Sequence, residues 1–189
     1  MRWEDLFADL EASVDAEDRA EFEAEVADLA RTERALLSLA DRLRGHDGCT
    51  LTFHLAEGDE VTGRLHDVGR DWVAVTTGTR SALVPLAAVV GVDGLTRAAA
   101  APPDPDGPPP LRVGLGTALR VLARDRAYVR LRLRGGTVVA GTVDRVGADH
   151  LDVAVHPADE PRRAAAVSRV RCVPFGAVVV VRGDAEHLA

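Results

Sequence analysis

The side chains that could do acid–base, metal or nucleophile chemistry are few and scattered. Six histidines (His46, His54, His66, His150, His156 and His187) include no His-x-x-x-His pair and form no cluster with cysteine, so the usual zinc spacings are missing. Cys49 and Cys172 make neither a disulfide framework nor a metal pair, and buried, reduced thiols are expected. No serine sits in a Gly-x-Ser-x-Gly elbow. Gly114-x-Gly116 leads into a helical stretch, but it follows prolines rather than a strand and lacks the third glycine of a dinucleotide fingerprint. Arg182-Gly183-Asp184 reads as a turn. These residue types predict no enzyme, no metal, no cofactor and no small-molecule substrate.

Binding chemistry is better represented. All 23 Lys/Arg positions are arginine, the cation suited to bidentate phosphate contacts. Residues 1–30 hold eleven Asp/Glu against Arg2 and Arg19, whereas residues 111–183 hold thirteen arginines against six acids. An acidic head on a basic rear half implies self-contact or two separate partners. In "EPRRAAAVSRVR", Arg162, Arg163, Arg169 and Arg171 either line a phosphate-binding hairpin or form a solvated face. Trp72 either stacks a base or covers the protein's own apolar interior.

The elements that would carry these residues follow from periodicity. Phe22, Val26, Leu29, Leu36, Ala40 and Leu43 step by four and three, with Glu33 in the missing slot, a heptad seam that ends at Gly45. It serves either helix association or packing on the chain's own strands. From Thr50 the period changes to two, as Leu51, Phe53 and Leu55, then Val61, Gly63 and Leu65, then Val73 and Val75, the mark of short antiparallel strands. Pro85 divides one further strand from the next. "AAAAPPDPDGPPP" (98–110) is a stiff linker. A short helix capped by Thr117 is expected to follow.

The strand pattern then repeats. With an offset of 78, Leu55, Gly58, Val61, Gly63, Gly69 and Asp71 meet Leu133, Gly136, Val139, Gly141, Gly147 and Asp149; later Val84-Pro85 meets Val173-Pro174 at an offset of 89. Eleven extra residues therefore lie between Val155 and Val173 of the second copy. Gly58 and Gly136 fall at turns, and Gly63 and Gly141 inside strands that must bend. Two copies are too few for a solenoid. The expected fold is α+β: an N-terminal helical segment, then two tandem helix-plus-five-stranded small β-barrels, each closing its own core. The expected divisions are 1–45 acidic helices, 46–97 first barrel, 98–110 linker, 111–184 helix and second barrel, and 185–189 tail.

Leu133-x-x-Gly136-x-x-x-x-Gly141-x-Val143 and Val181-Arg182-Gly183-Asp184 resemble the two signatures of Sm-like (LSm/Hfq-type) barrels, and SH3-like barrels share much of the pattern. "WEDLFADLEA" at the N-terminus resembles a group of uncharacterised actinobacterial proteins. The Sm-like resemblance implies RNA contacts at Asp149-His150 and Arg182-Gly183, with Asp71-Trp72 in the matching place of the first copy. Val178–Val181 is apolar on both faces, which suits a strand covered on both sides or paired at an interface. The expected function is a non-catalytic binding or scaffold protein that associates with itself or with another protein, the alternative being an RNA-binding, less readily DNA-binding, regulator. Nothing in the N-terminus resembles a secretory core, and the longest apolar run is too short to span a bilayer, so a cytoplasmic protein is expected.

Overall fold

A computed structural model of the chain describes residues 22, 26, 28, 31–32, 35–100, 113–158 and 167–184. It divides into two compact units, Met1–Ser38 and Leu39–Ala189. In the first unit, the described positions 22, 26, 28, 31, 32, 35 and 36 are helical, and Leu37 and Ser38 are not. The expected seam is therefore interrupted before its last apolar residue. Phe22, Val26 and Leu36 are exposed, and Leu29 lies outside the described residues. Ser38, a residue type that favours helix starts, stands immediately before a separate six-residue helix, α1 (Leu39–Arg44), which buries Ala40 and Leu43.

The second unit is built on strands. The elements after α1 are β1 (Thr50–Leu55), β2 (Glu60–Val68), β3 (Trp72–Thr77), β4 (Arg80–Pro85), β5 (Val89–Asp93), α2 (Leu115–Arg124), β6 (Tyr128–Leu133), β7 (Val138–Val146), β8 (His150–Val155), β9 (Arg169–Pro174) and β10 (Val178–Asp184). They form one antiparallel sheet of ten strands in the order β5-β1-β2-β3-β4-β10-β6-β7-β8-β9. The α+β expectation of two self-contained barrels behind a helical segment is thereby corrected. The sheet is continuous across both halves of the chain, and the two helices whose bounds are described are short. The join is β4 against β10, with Leu83 opposite Val181, Ala82 opposite Arg182 and Ser81 opposite Gly183. An edge strand carries a row of unpaired backbone donors and acceptors. Here the edges of the two halves satisfy each other.

Because the sheet continues, neither half closes its core alone. Leu51, Phe53, Leu55, Leu65, Val73, Val75 and Val84 pack in one cluster that also takes Val179 and Val180 from β10. Leu119, Leu122, Val129, Leu131, Leu151 and Val153 pack in the other, which takes Trp72, Ala74 and Leu83 from the first half. Alternate residues of β4 thus serve different cores: Ala82 and Val84 belong to one, Leu83 to the other. At β3 and β4 the sheet turns one face to the first core and its opposite face to the second.

The repeat survives at residue level. The chain turns with positive φ at Gly58 (77°) and Gly136 (80°), where glycine is the residue without a Cβ penalty. A Cβ on Gly63 would meet Thr76 O at 2.5 Å, and one on Gly141 would collide with Ala154 O. Both glycines let neighbouring strands approach. Arg132 Nε reaches Asp59 Oδ2 at 3.0 Å, and Arg134 Nη2 donates to Ala87 O at 3.0 Å, tying the turns of the two halves together. No helix among the described residues is long and apolar enough to cross a membrane.

Candidate interaction surface

Of the five described histidines, His46, His54, His150 and His156 hold hydrogen bonds, whereas the buried Nε2 of His66 has no partner among the described residues. His46 is buried; its Nδ1–H donates to Arg42 O at 2.8 Å, and its Nε2 accepts from Thr96 N at 2.9 Å. His156 is likewise buried, with Nε2 on Thr142 Oγ1 at 2.9 Å and Nδ1 on Pro157 O at 2.8 Å. His54 joins three strands: its Nδ1 lies 3.0 Å from Glu60 Oε1 and its Nε2 lies 2.8 Å from Asp93 Oδ2. The Asp93 hydrogen bond is the main reason its pKa is raised above 6.5. With both ring nitrogens held by carboxylates, His54 has no nitrogen left to take a proton from a substrate.

Both cysteines are exposed, contrary to the expectation of buried thiols. Cys172 sits at an outward position of β9, the last strand of the sheet. Desolvation, then the nearby Asp152 and Asp149 carboxylates, push its thiol pKa up, the reverse of what an activated nucleophile needs. Among the described residues no three His, Cys, Asp or Glu side chains form a group that could hold a metal ion.

The residues singled out for nucleic-acid contact do not converge. Trp72 is only 6% exposed, and its indole N–H donates to Val113 O at 3.0 Å. The Asp71 carboxylate accepts the Leu115 N–H at 2.7 Å. That bond, rather than Thr117, caps α2, whose N-cap residue is Gly114. A carboxylate already on this helix end disfavours a phosphate at Gly114-x-Gly116. Arg182 and Gly183 lie within β10, not in a loop, and Arg182 stands opposite both Ala82 and Arg130. Asp149 and His150 lie beside the β8–β9 ladder at the Pro174 end, where Asp149 O accepts the Phe175 N–H at 2.7 Å. Arg169 and Arg171 lie on β9, with Arg169 at the opposite end of that ladder. Arg162 and Arg163 fall outside the described residues.

A different surface does emerge. Two strands, β5 and β9, end the sheet, and among the described residues each pairs on one side only. The repeat supplies an internal measure of what covers such edges. Val90 of β5 is 73% exposed, whereas Val179, its partner at an offset of 89, is fully buried. Val170 of β9 is 58% exposed, whereas the matching Ser81 of β4 is 2% exposed. Cys172 is exposed where Leu83 is buried.

The loop before β3 behaves in the same way. In the first half, Arg70 N and Trp72 Nε1 both donate to Val113 O while Asp71 caps Leu115, so the loop grips the start of α2. In the second half the matching Asp149 bonds His150 Nδ1 at 2.8 Å, and its side chain is 89% exposed. That His150 bond chiefly lowers the Asp149 pKa. Sequence reasoning missed both the open edges and the loop grip. The available signal was the mismatch of side chains at matching positions, Arg171 for Ala82 and His150 for Trp72. Compared with protein-family models and with curated proteins, the chain finds no match.

Proposed function

We propose that the chain is a non-catalytic binding or scaffold protein that works by self-association. The observation that carries this reading is the pair of open strand edges, β5 and β9, whose exposed Val90 and Val170 have buried counterparts at the internal β4–β10 join. Soluble proteins usually blunt their edges; β5 is apolar up to Asp93, and β9 exposes Val170 and Cys172 between and beyond its arginines, and an open edge is the template for another strand. The exposed Phe22, Val26 and Leu36 of the N-terminal helical positions offer a second surface for association. Sedimentation velocity of the full chain across a hundredfold range of concentration tests the reading. Species heavier than the 20.1 kDa monomer are expected, and a monomer throughout would refute it.

A second reading, an RNA-binding regulator, is favoured by one observation. Arg130 and Arg182 stand directly opposite each other on neighbouring strands, an arrangement of like charges that is unfavourable and that an anion would relieve. Arg169 and Arg171 form a second basic pair, on β9, with β7 and β8 lying between it and β6. A gel shift with single-stranded RNA at low and moderate salt tests it. Retardation that weakens steeply with salt is expected, and its absence at low salt refutes it.

A further inference from the structure

We infer that the occupant of the β9 edge is the β5 strand of a second copy of this chain, paired antiparallel with Asp93 opposite Arg171. This inference rests on the self-association reading and names its partner and register. The molecule contains its own example of the contact. β4 is the fourth strand of the first half and β10 the fifth strand of the second, and they pair. The matching fourth strand of the second half is β9, and the matching fifth strand of the first half is β5. Both are unpaired on their outer sides among the described residues.

The matching holds to the residue. β1 sets Leu55 against Val89 and Phe53 against Val92, and β6 sets Leu133 against Val178 and Leu131 against Val181. The β4–β10 register therefore transfers directly. Val181 opposite Leu83 becomes Val92 opposite Cys172, and Arg182 opposite Ala82 becomes Asp93 opposite Arg171.

The side chains in that register suit one another. Asp93 and Arg171 would share one face of the new ladder as an opposite-charge pair, where such pairs favour association. Asp93 Oδ2 is held by His54 Nε2, and the Asp93 side chain is 75% exposed. A β9–β9 contact would instead crowd Arg169 and Arg171 of two chains together. The loop grip also has an open counterpart. Asp71 of the first half caps α2, while among the described residues Asp149 caps no helix. Head-to-tail pairing leaves a free β5 at one end and a free β9 at the other. It therefore propagates, closing as a ring or continuing as a filament.

Opposed residues of an antiparallel pair have Cα atoms about 4.5–5.5 Å apart, within disulfide range. The test is the full chain carrying Cys49→Ser and Val92→Cys, mildly oxidised and run on a non-reducing gel. Dimers, trimers and larger species cross-linked through residues 92 and 172 are expected, since every chain carries one of each. Chains with Cys49→Ser alone should stop at Cys172–Cys172 dimers. An Asp93→Arg or Arg171→Asp substitution should weaken association about tenfold, and combining the two should restore it. A second copy fails as the occupant if sedimentation shows oligomers but the 92–172 cross-link is missing or forms only within one chain. Monomers at every concentration would instead sink the self-association reading itself.

Discussion

Leu83→Ala offers a direct test of the shared core. Leu83 belongs by sequence to the first half, yet it is 2% exposed within the cluster built around α2 and β6–β8. The substitution removes three carbon groups, which at about 0.8 kcal/mol each gives about 2.4 kcal/mol. The neighbours Trp72, Val129 and Val181 are themselves buried, so little collapse is available and the total should approach 4 kcal/mol, within the range for buried leucines. In a unit of this size that corresponds to a fall in Tm of roughly 8–16 °C. Urea unfolding followed by tryptophan fluorescence is the assay, because Trp72 lies in the same cluster. The variant should unfold in one transition with a lower midpoint and an unchanged slope. A loss under about 1 kcal/mol, or two transitions with only the first half affected, would refute the claim that this leucine closes the second core.

Other substitutions follow from the geometry. Asp71→Ala should destabilise the chain by about 0.5–2 kcal/mol through loss of the α2 cap, whereas Asp149→Ala, which caps nothing among the described residues, should leave the melting temperature close to wild type near neutral pH. Gly141→Ala, whose new Cβ meets the Ala154 carbonyl, should cost about 3 kcal/mol or yield insoluble protein; wild-type solubility and Tm would count against the close strand approach. His54 has a raised folded-state pKa, so its bonds to Asp93 and Glu60 add stability that is complete below the ordinary value of 6.5 and is lost as pH rises through the raised value. Urea midpoints of wild type and His54→Gln should accordingly differ most just below pH 6.5 and converge in alkali, while a constant difference would show that charge has no part. A fragment of residues 111–189 should lack a fixed fold by near-ultraviolet circular dichroism, since Val179 and Val180 lose the core that buries them.

The strands were legible because their signal is local. The alternation Leu51, Phe53, Leu55 in the sequence is the alternation of buried positions in β1, and Pro85 does end β4. The glycine turns were legible because a positive φ leaves a residue-type signature, as at Gly58 and Gly136. What escaped was the connection between halves. Leu83 and Val181 meet across the fold, and no local period says which edge a strand will seek. Val178–Val181, all buried, carried the trace: a strand apolar on both faces must be covered on both. Reading the proline-rich stretch as a boundary turned that trace into a separate second barrel. The site was harder still. Arg171 and Asp93 carry no local mark of pairing, and their relation follows only once β4–β10 is known. Trp72 could be read as open or covered until Val113 was found against its indole nitrogen.

The β4–β10 join also sets an order of events during synthesis. The first core needs Val179 and Val180, which belong to β10, the last strand in chain order. A chain growing from its N-terminus finishes β4 at Pro85 and reaches Val178 only 93 residues later, a delay of roughly 5–20 s at ordinary elongation rates. Throughout that interval the β4 edge lacks its β10 partner, and the first core lacks Val179 and Val180. The nascent chain therefore displays a sheet whose β4 edge is still open, so shielding of that edge bears on whether β4 meets its own β10 or a strand of a neighbouring chain.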